Sequence, residues 1–132
     1  MEIEKIDEIT KDSFGLSLST LFSSIEGQYP ELDFYQRKEI FFAAIANLLK
    51  EGRIKFITPG ADCYVSPENP SPKFSIENAE AHWNEGIDKI IIYLREKWPK
   101  DAMDDNDDEL NIYFYEVPAV IWIDEFGNYF SS

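Results

Sequence analysis

The side chains that most often carry out chemistry are unevenly supplied in this chain. It has one histidine, His82, and one cysteine, Cys63, against 26 aspartates and glutamates. A single histidine excludes a multi-histidine metal site and a second histidine base. Beside Trp83 on a helix-like stretch, His82 reads as a packing or surface residue rather than a general base. Cys63 reads as a small buried hydrophobe in a short strand, and nothing around it or His82 supports a nucleophile pair. A lone cysteine forms no internal disulfide, which suits a reducing compartment. The sequence contains no Gly-x-Gly-x-x-Gly, phosphate loop, Gly-x-Ser-x-Gly elbow or Cys-x-x-Cys. Its six glycines fall where turns and element ends explain them.

Carboxylates are abundant enough that two uses must be weighed. Paired-acid hydrolysis needs one acid in a less polar setting that raises its pKa. Glu116, close to Pro118 and an aromatic run, is the one candidate, and a carboxylate-dependent hydrolase is the minor alternative. Calcium binding is the second use. Asp104-Asp-Asn-Asp-Asp-Glu109 begins like an EF-hand loop, but Glu109 stands where the turn glycine belongs and Tyr115 where the bidentate glutamate belongs. We therefore expect no catalytic residue, no cofactor and no dedicated metal site.

What remains is charge and aromaticity. The net charge is −14, and it is segregated: residues 101–132 hold nine acids and no base. Such a field repels phosphate backbones and anionic lipid and accelerates encounter with basic proteins. Nucleic acid and membrane are accordingly excluded as partners. Trp122, Tyr113, Tyr115, Phe126 and Tyr129 share the same third of the chain. Phe114 and Trp122 are expected in the core, whereas Tyr113 and Tyr115, on one face of an expected strand, would offer hydroxyls to a partner. The expected partner-binding set is Asp101, Asp104, Asp105, Asp107, Asp108, Glu109, Tyr113 and Tyr115. The function this supports is binding of a basic protein, with a regulatory or adaptor role as the alternative.

These residues need a scaffold, and 132 residues with 44% hydrophobic content suffice for one domain over 1–132. The acidic N-terminus does not resemble a signal peptide, and no apolar run spans a bilayer, so a soluble cytosolic protein is expected. Helical spacing predicts helices near 3–11 and 16–26. A third follows Asp33, which can form a capping box with Gln36, and ends at Gly52. Arg53–Ile57 is predicted to be a strand returning through Cys63–Val65 across a Pro59-Gly60 turn. Helices two and three plus that hairpin follow the order of a winged helix, which the acidity would reduce to scaffold. A fourth helix is predicted from Ser75 to Trp98, with Gly86 inside it. Leu110–Glu116 is predicted as a strand, and Ala119–Asp124 as a hairpin with Asn128–Ser131. The expected class is α+β: about four helices on a small antiparallel sheet of four or five strands.

Several segments carry a family resemblance. Gly15-Leu-Ser-Leu18, Gln36-Arg-Lys-Glu-Ile-Phe-Phe42 and Leu48-Leu-Lys-Glu-Gly-Arg-Ile-Lys55, with Trp98-Pro99, Pro118, Val120-Ile-Trp122 and Gly127, resemble a family of small bacterial proteins of unassigned function. Members of this sort look like immunity proteins encoded beside contact-dependent growth inhibition toxins. The resemblance implies a cytosolic antidote that binds the C-terminal domain of its cognate toxin, commonly a nuclease. The proline-containing loop at 66–73 departs from the pattern, and the resemblance assigns no functional residue.

Overall fold

The computed structural model describes residues 3–63, 66–104 and 106–131. The described residues form an α+β fold: helices α1 (Ile6–Ser13), α2 (Leu18–Gln28) and α3 (Phe34–Lys50), strand β1 (Ile54–Phe56), helices α4 (Ile87–Lys97) and α5 (Asp108–Glu116), and strands β2 (Val120–Ile123) and β3 (Tyr129–Phe130). The sheet is antiparallel in the order β1-β2-β3, with Ile54 opposite Trp122 and Trp122 opposite Phe130. No helix is long and apolar enough to cross a membrane, among the residues described.

The third helix begins as its cap predicts. The Asp33 carboxylate accepts the Gln36 N–H at 2.8 Å, and the Gln36 side chain accepts the Asp33 N–H at 3.0 Å. Its apolar stripe enters an aromatic core in which Phe22, Phe41, Phe42, Trp98 and Phe114 meet mostly edge to face; Phe22 and Phe41 are 5.6 Å apart. Such ring pairs add about 0.5–1.5 kcal/mol each beyond burial. Arg95 closes one end of this core, its guanidinium 4.5 Å from the Phe42 ring and bidentate to Glu39 at 2.9 and 3.0 Å.

Three expectations are corrected. The partner of β1 is β2, not 63–65: Cys63 belongs to no strand, and Tyr64 and Val65 lie outside the described residues. The hairpin that a winged helix needs is therefore replaced by a long-range pairing, and among the described residues the sheet has three strands rather than four or five. Second, the 75–98 helix starts only at Ile87. Residues 79–81 make one 3₁₀ turn, after which the chain is extended to Gly86, the N-cap of α4. Extension wins because this segment hydrogen-bonds to the edge of β1: Trp83 donates its N–H to the Phe56 carbonyl at 2.8 Å, and Thr58 donates to the Ala81 carbonyl at 2.7 Å. No neighbour lies within 4 Å of where a Cβ on Gly86 would stand, so close packing is not its role.

Third, 110–116 is helical. Leu110, Tyr113 and Val117 fall at i, i+3 and i+7 and are buried, with half-buried Phe114 at i+4, a pattern that fits a helix better than alternation fits a strand. The described residues thus contain five α-helices.

Candidate partner-binding surface

The acidic segment is shaped by its own main chain. Asp104 accepts the Asn106 N–H at 2.9 Å, and Asp107 caps α5 by accepting the N–H groups of Glu109 at 2.9 Å and Leu110 at 3.4 Å. Asp108 and Glu109 then stand in the first helical turn, where negative charge offsets the exposed N–H dipoles. Asp101, Asp104, Asp108 and Glu109 are exposed and Asp107 is half-buried, while Asp105 lies outside the described residues. Four of the expected acids are therefore at the surface, while Asp107 has a structural task.

The two tyrosines separate. Two residues of helix amount to about 200° of rotation, so Tyr113 and Tyr115 point to opposite sides of α5 rather than sharing a strand face. Tyr113 is only 4% exposed, packs on Trp98 at 5.1 Å between ring centroids, and donates its hydroxyl to the Leu94 carbonyl at 2.8 Å. Burial pushes its pKa up. It ties α5 to α4 and offers nothing outward. Tyr115 is 90% exposed, and with Ile112, also exposed, forms an outward apolar pair three residues apart.

The turn of the β2–β3 hairpin carries two further acids, Asp124 and Glu125. That turn is held by Asp124, whose carboxylate accepts the N–H of Phe126 at 2.9 Å and of Asn128 at 2.8 Å, with Gly127 at φ 82°. These bonds lower the Asp124 pKa, that to Asn128 most of all, so it stays ionised. Phe126 projects from the turn, 80% exposed. Trp122 is fully buried and donates its indole N–H to the Leu16 carbonyl at 2.8 Å.

The chemical candidates find no shared site. His82 is buried, its Nε2 2.6 Å from the Ile76 carbonyl and its ring against Tyr129. Cys63 is half-buried, and desolvation, aided by Asp62 and Glu77, raises its thiol pKa. Glu116 is exposed at the end of α5, without the apolar enclosure a catalytic acid needs. Among the described residues, no three His, Cys, Asp or Glu side chains converge as metal ligands.

Sequence reasoning missed an apolar patch outside the acidic segment. Phe14, Leu16 and Phe130 are each more than a third exposed, and the Phe14 and Phe130 rings are 5.4 Å apart. The available signal was the absence of any charge from Ser13 to Ile25 and again from Phe126 onward.

No family model and no curated protein matches the chain. A solved structure, that of an uncharacterized protein conserved in bacteria from Neisseria meningitidis, is similar, with a TM-score of 0.65 at 21% identity over 96% of this chain and 86% of that one. At that identity the likeness concerns the fold alone.

Proposed function

We propose that this chain is an acidic binding protein of the bacterial cytosol, and specifically an immunity protein that holds a basic toxin domain and blocks its action. The observation that carries the reading is the segregated acidity: nine acids and no base over 101–132, most of them exposed, in the same third of the chain as the outward-facing Tyr115 and Phe126. A nuclease must be basic to hold a phosphate-rich substrate, so an acidic antidote gains both encounter rate and complementarity. The family resemblance of the sequence points the same way.

The test is co-purification of the tagged chain from its native cells at low ionic strength, identification of the retained protein, and assay of that protein's activity with and without an equimolar amount of the chain. A basic toxin domain whose activity the chain suppresses supports the immunity reading. A basic partner without toxic activity supports the regulatory or adaptor reading. Absence of any basic partner overturns both.

A further inference from the structure

Helix α4 does not bury all of its apolar residues. Ile90 and Leu94 enter the core, but Ile92 stands 54% exposed in mid-helix, with Ile87 and Ile91 half-buried beside it. On α3, the small side chains of Ala43 and Ala46 are half-buried on the facing side. Together these residues line a shallow groove of about 560 Å³ between α3 and α4, which Asp88 and Arg95 also line. Small side chains at such a place let a further helix approach closely.

The charges around Ile92 follow a pattern. Residues seven apart on a helix fall within about 20° of one another. Asp88 and Arg95 therefore share the flank that faces α3, and Lys89 and Glu96 share the other flank. Asp88 and Glu96 are exposed, and neither is in an ion pair among the described residues. Lys89 meets Glu85 at 3.6 Å on open surface, a contact worth little. Arg95 gives Glu39 two of the five donors of a guanidinium, one from each terminal nitrogen. The wider charge is unlike the rest of the chain: α3 and α4 together hold six bases and three acids, whereas α1, α2 and α5 are each acidic in sum.

We infer that this face is a self-association site, on which a second copy of the chain packs its α4 antiparallel to α4 about a two-fold axis at Ile92. The two Ile92 side chains meet at the centre, beside the opening left by Ala43 and Ala46. A two-fold axis across the pair sets each flank against the same flank of the other copy, running the opposite way. Asp88 then lies within about 1.5 Å of the level of the other copy's Arg95, and Lys89 within the same distance of the level of the other copy's Glu96. Each flank thus pairs acid with base twice, and the helix dipoles oppose one another. A basic partner is the poorer occupant, because bases outnumber acids on these two helices. The inference does not rest on the immunity reading.

The test is sedimentation of the full chain across a concentration series. The average mass is expected to rise from one chain towards two between about 10 μM and about 1 mM, the range suited to a small interface. Ile92→Glu is expected to hold the mass at one chain throughout, with the melting temperature of the dilute protein unchanged. Lys89→Glu and Glu96→Lys are each expected to weaken association at least fivefold, since each sets like charges opposite one another twice. Mixing those two variants is expected to restore association as a heterodimer, and the double variant is expected to restore it within one chain type. Should Ile92→Glu fail to fold, the mixed pair carries the same decision. A parent protein that stays monomeric throughout would overturn the inference. So would a dimer indifferent to Ile92→Glu, or a mixture no stronger than its components. A monomeric parent whose co-purified basic partner is lost on Ile92→Glu would give the face to that partner instead, leaving the immunity reading intact and the dimer refuted.

Discussion

The two edges of the sheet differ in what covers them, though both hang on one central strand. The β1 edge is closed by residues 81–83, which donate and accept along it and bury His82 beneath. At the β3 edge Phe130 is exposed, and the Lys55 Nζ stands 3.5 Å from the Tyr129 hydroxyl. A sealed edge costs the chain a stretch of helix, since 81–86 gives up helical spacing to make the seal. An open edge leaves outward N–H and C=O groups to solvent. The sheet is thereby sealed by main-chain bonds on one side and not, among the described residues, on the other.

The largest effect is expected where the two edges are joined. Trp122→Ala removes a fully buried indole from β2, its ring contact with Phe14 at 5.7 Å and its hydrogen bond to Leu16. A loss of about 3–5 kcal/mol in chemical denaturation is expected, with exchange protection falling on both edges together. Selective loss on one edge would show that the strands are not held as a unit.

Next comes the sealed edge alone. His82→Ala abandons the Ile76 carbonyl and the contact with Tyr129. The expected cost is about 1–3 kcal/mol, the usual penalty for orphaning a buried polar group. Amide exchange should accelerate at Thr58 and Trp83 while α3 keeps its protection. Unchanged protection at those two amides would mean that the main-chain seal stands without its histidine.

How far the sequence revealed this arrangement depends on the range of the interactions involved. The third helix was legible because Asp33, Gln36 and Gly52 are local signals that agree with the apolar stripe. The β2–β3 hairpin was legible for the same reason. The 75–98 segment was not, because its helical spacing is real but is outweighed by bonds to β1, some 25 residues earlier in the chain. At 110–116 both periods are present, and the decisive sign is Asp107 three residues before Leu110, a cap hidden among neighbouring acids that composition presents only as charge. The acidic surface was visible in composition. The open edge was not, since which strand pairs with β1 decides which edge remains.

The open edge is tied at its turn by a titratable group, which permits a pH test. The Asp124 carboxylate accepts main-chain N–H groups, and its folded-state pKa lies below the unfolded value. Its contribution is therefore present above the unfolded value, about 3.9, and is lost as pH falls through the lower folded value. Exchange at the Asp124 and Phe130 amides should rise below about pH 4 while the Thr58 amide on the sealed edge lags. Asp124→Asn, which keeps an acceptor but cannot titrate there, should flatten that response. Equal pH sensitivity at the two edges would point to global acid unfolding instead.

The smallest structural effects are expected in the acidic segment that leads into α5, and they separate charge from capping. Asp107→Ala should cost about 1 kcal/mol, because two N–H groups of α5 lose their acceptor, whereas Asp107→Asn should cost only a few tenths, since asparagine caps as well as aspartate. Asp104→Asn and Asp108→Asn should fall within about 0.5 kcal/mol of the parent protein. Their effect belongs to encounter with the partner. Exposed rim charges act over about 8 Å at physiological ionic strength and govern association more than dissociation. Removing both should slow association with the co-purified basic partner several-fold in stopped-flow measurements, and added salt should reproduce the loss in the parent protein. Tyr115→Ala should instead speed dissociation, because a fully exposed aromatic beside the β3 edge acts by contact and not at a distance. An association rate indifferent to salt and to both asparagine substitutions, with Tyr115→Ala still releasing the partner faster, would leave apolar contact at Tyr115 as the source of recognition and reduce the acid excess to solubility.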